Sequence, residues 1–183
     1  SLRNSANITI PNCGNSLCGG IVGWISADAV ITANFTKGTA TIWTGGFGGL
    51  TAQIDGDVTI NDSYSQINFT RTGNSGVNGG LTNVVSGGTL TINRSYYTGT
   101  FNFTGGGAPP RGCIVGANFG TLNLVDTYFD STICTDNAVN SGAYAGATGL
   151  ATAALRTATP FINWLPTVWV FANAQNPKLS FEP

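Results

Sequence analysis

The sequence predicts an all-β fold: a right-handed parallel β-solenoid (β-helix) of about four coils with a C-terminal aromatic cap segment. Three observations predict it. A glycine pair followed by an aliphatic residue recurs as Gly19-Gly20-Ile21, Gly48-Gly49-Leu50 and Gly79-Gly80-Leu81, with a degraded fourth copy in Arg111-Gly112-Cys113. A second track follows each anchor and ends on an aromatic, so that Phe35, Tyr64, Tyr96 and Tyr128 recur at intervals of 29, 32 and 32 residues. Apolar and polar residues alternate within the tracks, as in half-buried strands, and helical periodicity is absent before Thr148. Several tracks sharing one period of about 30 residues mark a stacked repeat, in which each unit buries its face only against its neighbours.

The elements follow in chain order. An N-terminal arm, residues 1–17, contains the alternating stretch Ala6-Asn7-Ile8-Thr9-Ile10, broken by Pro11. It is expected either to fold over the first coil or to add as a strand to a neighbouring copy. Residues 18–141 form the coils, each with three short strands. The third track of the four coils reads Ala40-Thr41-Ile42, Ile67-Asn68-Phe69, Phe101-Asn102-Phe103 and Thr132-Ile133-Cys134. Stacking at ~4.8 Å places equal positions above one another. Two internal ladders are therefore expected, Ile31-Ile60-Ile92-Leu124 and Ile21-Leu50-Leu81-Cys113. Gly, Asn and Asp between the tracks supply corners, some of which need positive φ. Residues 142–183 hold Phe161, Trp164 and Trp169 and are expected to cover one open end, because a bare solenoid end is a row of unpaired strand edges.

Composition suits this architecture. Only 8% of the 183 residues are charged while 42% are hydrophobic, which excludes a disordered polar tract. In a stack a repeated charge faces its own kind, whereas Thr, Asn and Ser hydrogen-bond from coil to coil. The chain has no His, which excludes a His-based triad, a His metal site and an imidazole proton shuttle. Seven scattered cations (Arg3, Lys37, Arg71, Arg94, Arg111, Arg156, Lys178) at a net charge of -1 form no nucleic-acid surface. No apolar run reaches the roughly 20 residues of a spanning helix, so membrane insertion is not expected, nor is any cofactor. With Ser1 first and no Met, the chain reads as a processed product or a piece of a longer protein.

The four cysteines, Cys13, Cys18, Cys113 and Cys134, lack zinc-site spacing. Four cysteines allow three pairings. The local ones, Cys13–Cys18 and Cys113–Cys134, are preferred, and disulfides place the chain outside the cytosol, secreted or at a cell surface.

The unit Gly19-Gly20-Ile21-Val22-Gly23, with a Thr-Ile/Asn-Ser-Tyr strand after it, resembles the GLUG-motif repeat of bacterial surface adhesins and large secreted repeat proteins. Gly112-Cys113-Ile114-Val115-Gly116 keeps the motif's last glycine, while Gly49-Leu50-Thr51-Ala52 and Gly80-Leu81-Thr82-Asn83 lack it. The stretch from Gly149 to Leu155, followed by Phe161, Trp164 and Trp169, is similar to the Trp-containing unit that follows such repeats. The resemblance implies a structural or adhesive role and brings no catalytic residues.

Among candidate residues, Asp62 and Asp126 share a repeat position with Arg94 between them. This is either a carboxylate pair with a cation, as in polysaccharide-active β-helices, or a surface charge ladder, and the ladder is preferred. Asp55-Gly56-Asp57 is expected to be a turn rather than a calcium site. Six sequons, at Asn7, Asn34, Asn61, Asn68, Asn93 and Asn102, are glycosylation candidates in a eukaryotic secretory host. Trp24 and Trp43 have no counterparts in later coils, which makes them candidates for ligand or subunit contact. The expected function is that of a secreted, non-enzymatic structural protein whose partners are copies of itself, assembling into a fibre, sheath or surface layer. The alternative is an adhesin module that binds glycans or a host protein. A polysaccharide-active enzyme ranks third.

Overall fold

The computed structural model describes residues 7–10 (backbone), 16–105, 109–142 and 144–182. The chain winds as a parallel β-solenoid of about four coils, and each coil has four short strands where the sequence suggested three. The first face stacks Leu17–Gly19, Gly46–Gly48, Asn78–Gly79 and Arg111–Gly112. The second stacks Val22–Ile25, Thr51–Ile54, Thr82–Val85 and Val115–Asn118. The third stacks Ala29–Thr32, Val58–Asn61, Thr89–Asn93 and Thr121–Val125. The fourth runs through Phe35–Ile42, Tyr64–Arg71, Tyr96–Tyr97 with Phe101–Phe103, and Thr127–Asp130. All pairings between coils are parallel. The second face escaped the sequence reading because Val22-Gly23-Trp24-Ile25 and Thr82-Asn83-Val84-Val85 do not alternate cleanly.

The interior is built as ladders. Ile31, Ile60, Ile92 and Leu124 are in register and buried, as their spacing predicts. The other ladder needs a correction. Gly79 pairs with Gly112, and Leu81 N–H donates to the Ile114 carbonyl. The fourth member is therefore Ile114, while Cys113 occupies the column of the second glycine. A Cβ at Gly20, Gly49 or Gly80 would lie 2.2, 2.0 or 2.0 Å from the carbonyl oxygen of the next coil. Cys113 N–H donates to the Asn137 carbonyl and Ile114 N–H to that of the next residue, Ala138, so no residue of the second-glycine column follows Cys113, which is joined by a disulfide to Cys134, Cα–Cα 5.9 Å. The third track also slips. Ala40, Phe69 and Phe101 are in line, so the triplet containing Asn68 sits two residues out of step with the other two. A two-residue slip preserves the inward and outward sides. Thr132-Ile133-Cys134 is no strand; residues 131–133 form a turn.

The corner between the third and fourth faces has one geometry in all four coils. Ala33, Asp62, Arg94 and Asp126 have φ of 54°, 49°, 45° and 47°. The residue after each corner folds its side chain back to the carbonyl two residues earlier: Asn34 to Thr32, Ser63 to Asn61, Ser95 to Asn93 and Thr127 to Val125. The same hydroxyls accept from the preceding coil, Asn34 N–H to Ser63 Oγ and Ser63 N–H to Ser95 Oγ.

Asn7–Ile10 pairs with Lys37–Ala40 of its own chain, the first of the two expected arrangements of the arm. At the other end a fifth coil begins but omits one side. Ala138 and Val139 continue the second face, and Ala147–Leu150 continues the fourth. Among the described residues no strand lies beyond Thr121–Val125. The chain then turns back as a belt along the flank. A short helix (Thr152–Leu155), a 3-10 turn (Thr159–Phe161) and the antiparallel pair Trp169–Val170 with Lys178–Leu179 follow. The aromatic cap is present as a buried cluster, and it covers the outer side of the fourth face rather than the end of the stack.

Candidate functional site

The flank is assembled from one aromatic per coil. Phe35 stacks on Tyr64 at 5.3 Å and 8°, and Tyr64 on Tyr96 at 4.7 Å and 6°. The belt crosses them from the last coil to the first, through Phe161 on Tyr128, Trp164 and Trp169 on Tyr96, and Phe181 on Phe35. Rings stacked over a coil spacing contribute packing beyond their buried area.

The Asp62, Arg94 and Asp126 constellation runs along this belt, with Asp62 buried under it and Arg94 and Asp126 half-buried at its edge. Arg94 holds Asp62 in a fork, Nε to Oδ1 at 2.7 Å and a terminal nitrogen to Oδ2 at 2.8 Å. That hydrogen bonding, ahead of the plain attraction of Asp62 and Asp126, raises the Arg94 pKa. Trp169 Nε1 donates to Asp62 Oδ1 at 3.1 Å, and Asp62 is 3% exposed. Asp126 instead receives Asn163 Nδ2 at 3.1 Å. Arg94 neutralises Asp62 across a rung, as the charge ladder predicts, but Asp62 is buried under the belt rather than exposed on the surface. Asp62 is sealed from solvent and serves, with Asp126, as an anchor for the belt.

Sequence reasoning missed the second anchor. Buried Glu182 accepts from Lys37 Nζ at 2.7 Å, Tyr64 OH at 2.6 Å and Leu179 N–H at 2.7 Å. Lys37 and Glu182 stand 145 residues apart, and neither falls in a repeated column on which both partners could be found. Arg71 was likewise unforeseen as an interior residue. It is 1% exposed and donates to the carbonyls of Gly73 and Gly76, and desolvation lowers its pKa.

The remaining candidates are dispersed. Asn68 and Asn102 are exposed. Asn34 is 3% exposed, with its side-chain nitrogen bonded to Thr32, so the folded corner leaves no room for a glycan there. Asn61 and Asn93 are half-buried and bonded to each other at 2.9 Å. The side chain of Asn7 lies outside the described residues. The serines of the Asn61 and Asn93 sequons are the buried corner residues, which accounts for that motif structurally. Cys18 is not a free thiol, and its expected partner Cys13 lies outside the described residues. Asp55-Gly56-Asp57 is a corner, where Asp28 Oδ1 accepts Asp57 N–H at 3.3 Å and Asp57 Oδ1 accepts Thr89 N–H at 2.7 Å. Trp24, on the second-face strand Val22–Ile25, and Trp43, at the bend after the fourth, are both exposed. Trp24 Nε1 donates to Asp55 Oδ2 at 2.6 Å; Trp43 follows the end of Phe35–Ile42.

The surface also carries depressions at the coil end and beside the belt. A groove of about 460 Å³ lies along Leu122–Val125 against Tyr144, Ala145 and Gly146, where the fifth coil omits its strand. A polar pocket of about 330 Å³ lies between Lys37, Gln66, Arg156 and residues 174–178 of the belt. Among the described residues no three His, Cys, Asp or Glu side chains converge as metal ligands. Comparison with protein-family models, curated proteins and solved structures finds no match for this chain.

Proposed function

We propose that the chain is a structural module that associates with copies of itself through the two ends of its coil stack, in an extracellular fibre, sheath or surface layer. One observation supports this above others. Among the described residues no strand pairs with the outer edge of Ala29–Thr32 at one end or of Thr121–Val125 at the other, where residues 144–146 lie against part of that edge. Both edge strands carry an exposed valine, Val30 and Val125, where inner strands carry Thr59 and Thr91, or Asn61 and Asn93. An edge strand bearing apolar residues, without the Lys or Pro that commonly blunts one, favours association. The two ends differ, so the contact is head to tail, and copies added end to end along the stack axis generate an open filament. The disulfide accords with a location outside the cytosol, and the resemblance to GLUG repeats points the same way. Asp62 and Asp126 are assigned a structural role.

The test is light scattering with negative-stain microscopy of the intact chain and of the Val30→Lys/Val125→Lys variant. Assembly that grows with protein concentration is expected, and its loss in a variant of unchanged circular dichroism. A native chain that stays monomeric, or a variant that assembles equally well, overturns the proposal.

A further inference from the structure

The corner between the second and third faces presents two adjacent outward columns. Trp24, Gln53, Val84 and Ala117 are in register in one, which is open at Trp24 and closed at Ala117, 8% exposed. Asp55, Ser86 and Phe119 follow in the next, their N–H groups donating in turn to Ile25, Ile54 and Val85. Two aromatics on the outer two coils are the most open parts of this surface, Trp24 at 62% exposure and Phe119 at 77%. They are three coil spacings apart, about 14 Å along the stack. Gln53, Asp55 and Ser86 lie between them.

Trp24 is not a loose side chain. Its indole N–H is tied to Asp55, whose other oxygen accepts Gln53 Nε2 at 3.0 Å. The hydrogen bonds from Gln53, then Trp24, hold the Asp55 carboxyl below its usual pKa, so it is an ionised acceptor at neutral pH. A ring fixed at its edge with its surface open needs little ordering on binding. Aromatic surface with a few fixed polar groups is the composition of a small-molecule subsite. The C–H faces of pyranose rings stack on such surfaces while their hydroxyls donate to a carboxylate and exchange hydrogen bonds with an amide and a hydroxyl. Neither column contains Lys or Arg, and Asp28 and Asp57 lie nearby on the same corner. The local charge thus disfavours uronates, sulfated sugars and acidic peptides.

We propose that this strip binds a neutral oligosaccharide laid along the stack axis, with Trp24 and Phe119 as its two platforms. The site goes beyond self-association and does not require it. Titrations are made on the native chain and, to separate the two properties, on Val30→Lys/Val125→Lys. The probes are neutral hexasaccharides of glucose, mannose, galactose and N-acetylglucosamine, with a polyuronate hexasaccharide as the charged comparison. At least one neutral probe is expected to bind both chains alike. Trp24→Ala and Phe119→Ala each weaken that binding about tenfold, while Trp43→Ala leaves it unchanged, all with native circular dichroism. Absence of binding to every neutral probe at millimolar concentration overturns the proposal, as does preference for the polyuronate or indifference to Trp24→Ala. Capture of a protein rather than a sugar through the same residues also overturns it.

Discussion

The molecule has two hydrophobic cores that are put together on different principles. Inside the coils, Ile31, Ile60, Ile92 and Leu124 repeat one position, and every coil leans on the next in the same way. On the flank, Phe35, Tyr64 and Tyr96 also repeat, but their partners Phe161, Trp164, Trp169 and Leu179 come from a belt that repeats nothing. The inner core contains apolar ladders that need only correct spacing. The flank needs specific polar ties, Trp169 to Asp62, Tyr64 to Glu182 and Trp164 to the Asp126 carbonyl, because buried Trp and Tyr must place their N–H and O–H groups. A periodic core tolerates no local exception in backbone spacing. An aperiodic one depends on a few named contacts.

The largest expected effect breaks the periodic side. A Cβ at Gly49 would lie 2.0 Å from the Gly80 carbonyl oxygen and 2.3 Å from Ser65 Oγ. Backbone on one side and a buried side chain on the other leave no cheap relaxation. Gly49→Ala is expected to lose more than about 4 kcal/mol in urea unfolding, in the range of severe core disruption. Gly23 has nothing within 4 Å of its would-be Cβ, and Gly23→Ala is expected to change stability by less than about 0.5 kcal/mol. Equal effects at the two sites would show that the coil spacing is not fixed by the glycine column.

The second prediction contrasts the cores through their phenols. Burial comes first in raising the pKa of Tyr64 and Tyr96 on the flank and of Tyr97 in the coils, and Glu182 adds to it for the flank pair. An unfolded tyrosine ionises near pH 10, where these three remain protonated in the folded chain. The folded state then binds more protons, so stability falls as pH rises. It should be constant with respect to these groups below about pH 10 and drop above it by about 1.4 kcal/mol per unit for each buried tyrosine. Tyr97→Phe and Tyr96→Phe should each remove one such increment from the slope of stability against pH. A slope unchanged by Tyr96→Phe would mean that the belt opens before the coils unfold.

What was legible in the sequence divides along the same line. The solenoid, the aromatic column and the isoleucine ladder could be read because repetition multiplies a weak signal. The strand of the second face was hidden by Gly23, Ala52 and Asn83, where a strict alternation would otherwise stand. The slip at Cys113 arose because Gly112 matches either glycine of the pair, and only the next coil's carbonyl distinguishes them. The polar ties of the belt were not legible, since Asp62 with Trp169 and Lys37 with Glu182 meet across 107 and 145 residues and no spacing rule relates them. Trp24 was singled out as unrepeated, but its bond to Asp55 and its relation to Phe119 required the register.

The smallest expected effect concerns the corner that both cores share. Four non-glycine residues occupy left-handed backbone there, and the first coil uses Ala33 at φ 54° where two others use Asp. A Cβ in this region costs roughly 1–2 kcal/mol, less for Asn and Asp, whose short polar side chains bond locally. Ala33→Asn is therefore expected to raise stability by about 0.5 kcal/mol, after the loss of some apolar contact with the flank cluster, in which Ala33 takes part. Ala33→Val should lower it by more than about 1 kcal/mol, because a β-branched residue fits this region worst. Urea midpoints of the two variants decide the point. Opposite signs would mean that backbone geometry governs residue choice at the corner. Losses in both would mean that packing under the belt outweighs it, and that the flank rather than the coil stack sets the character of this position.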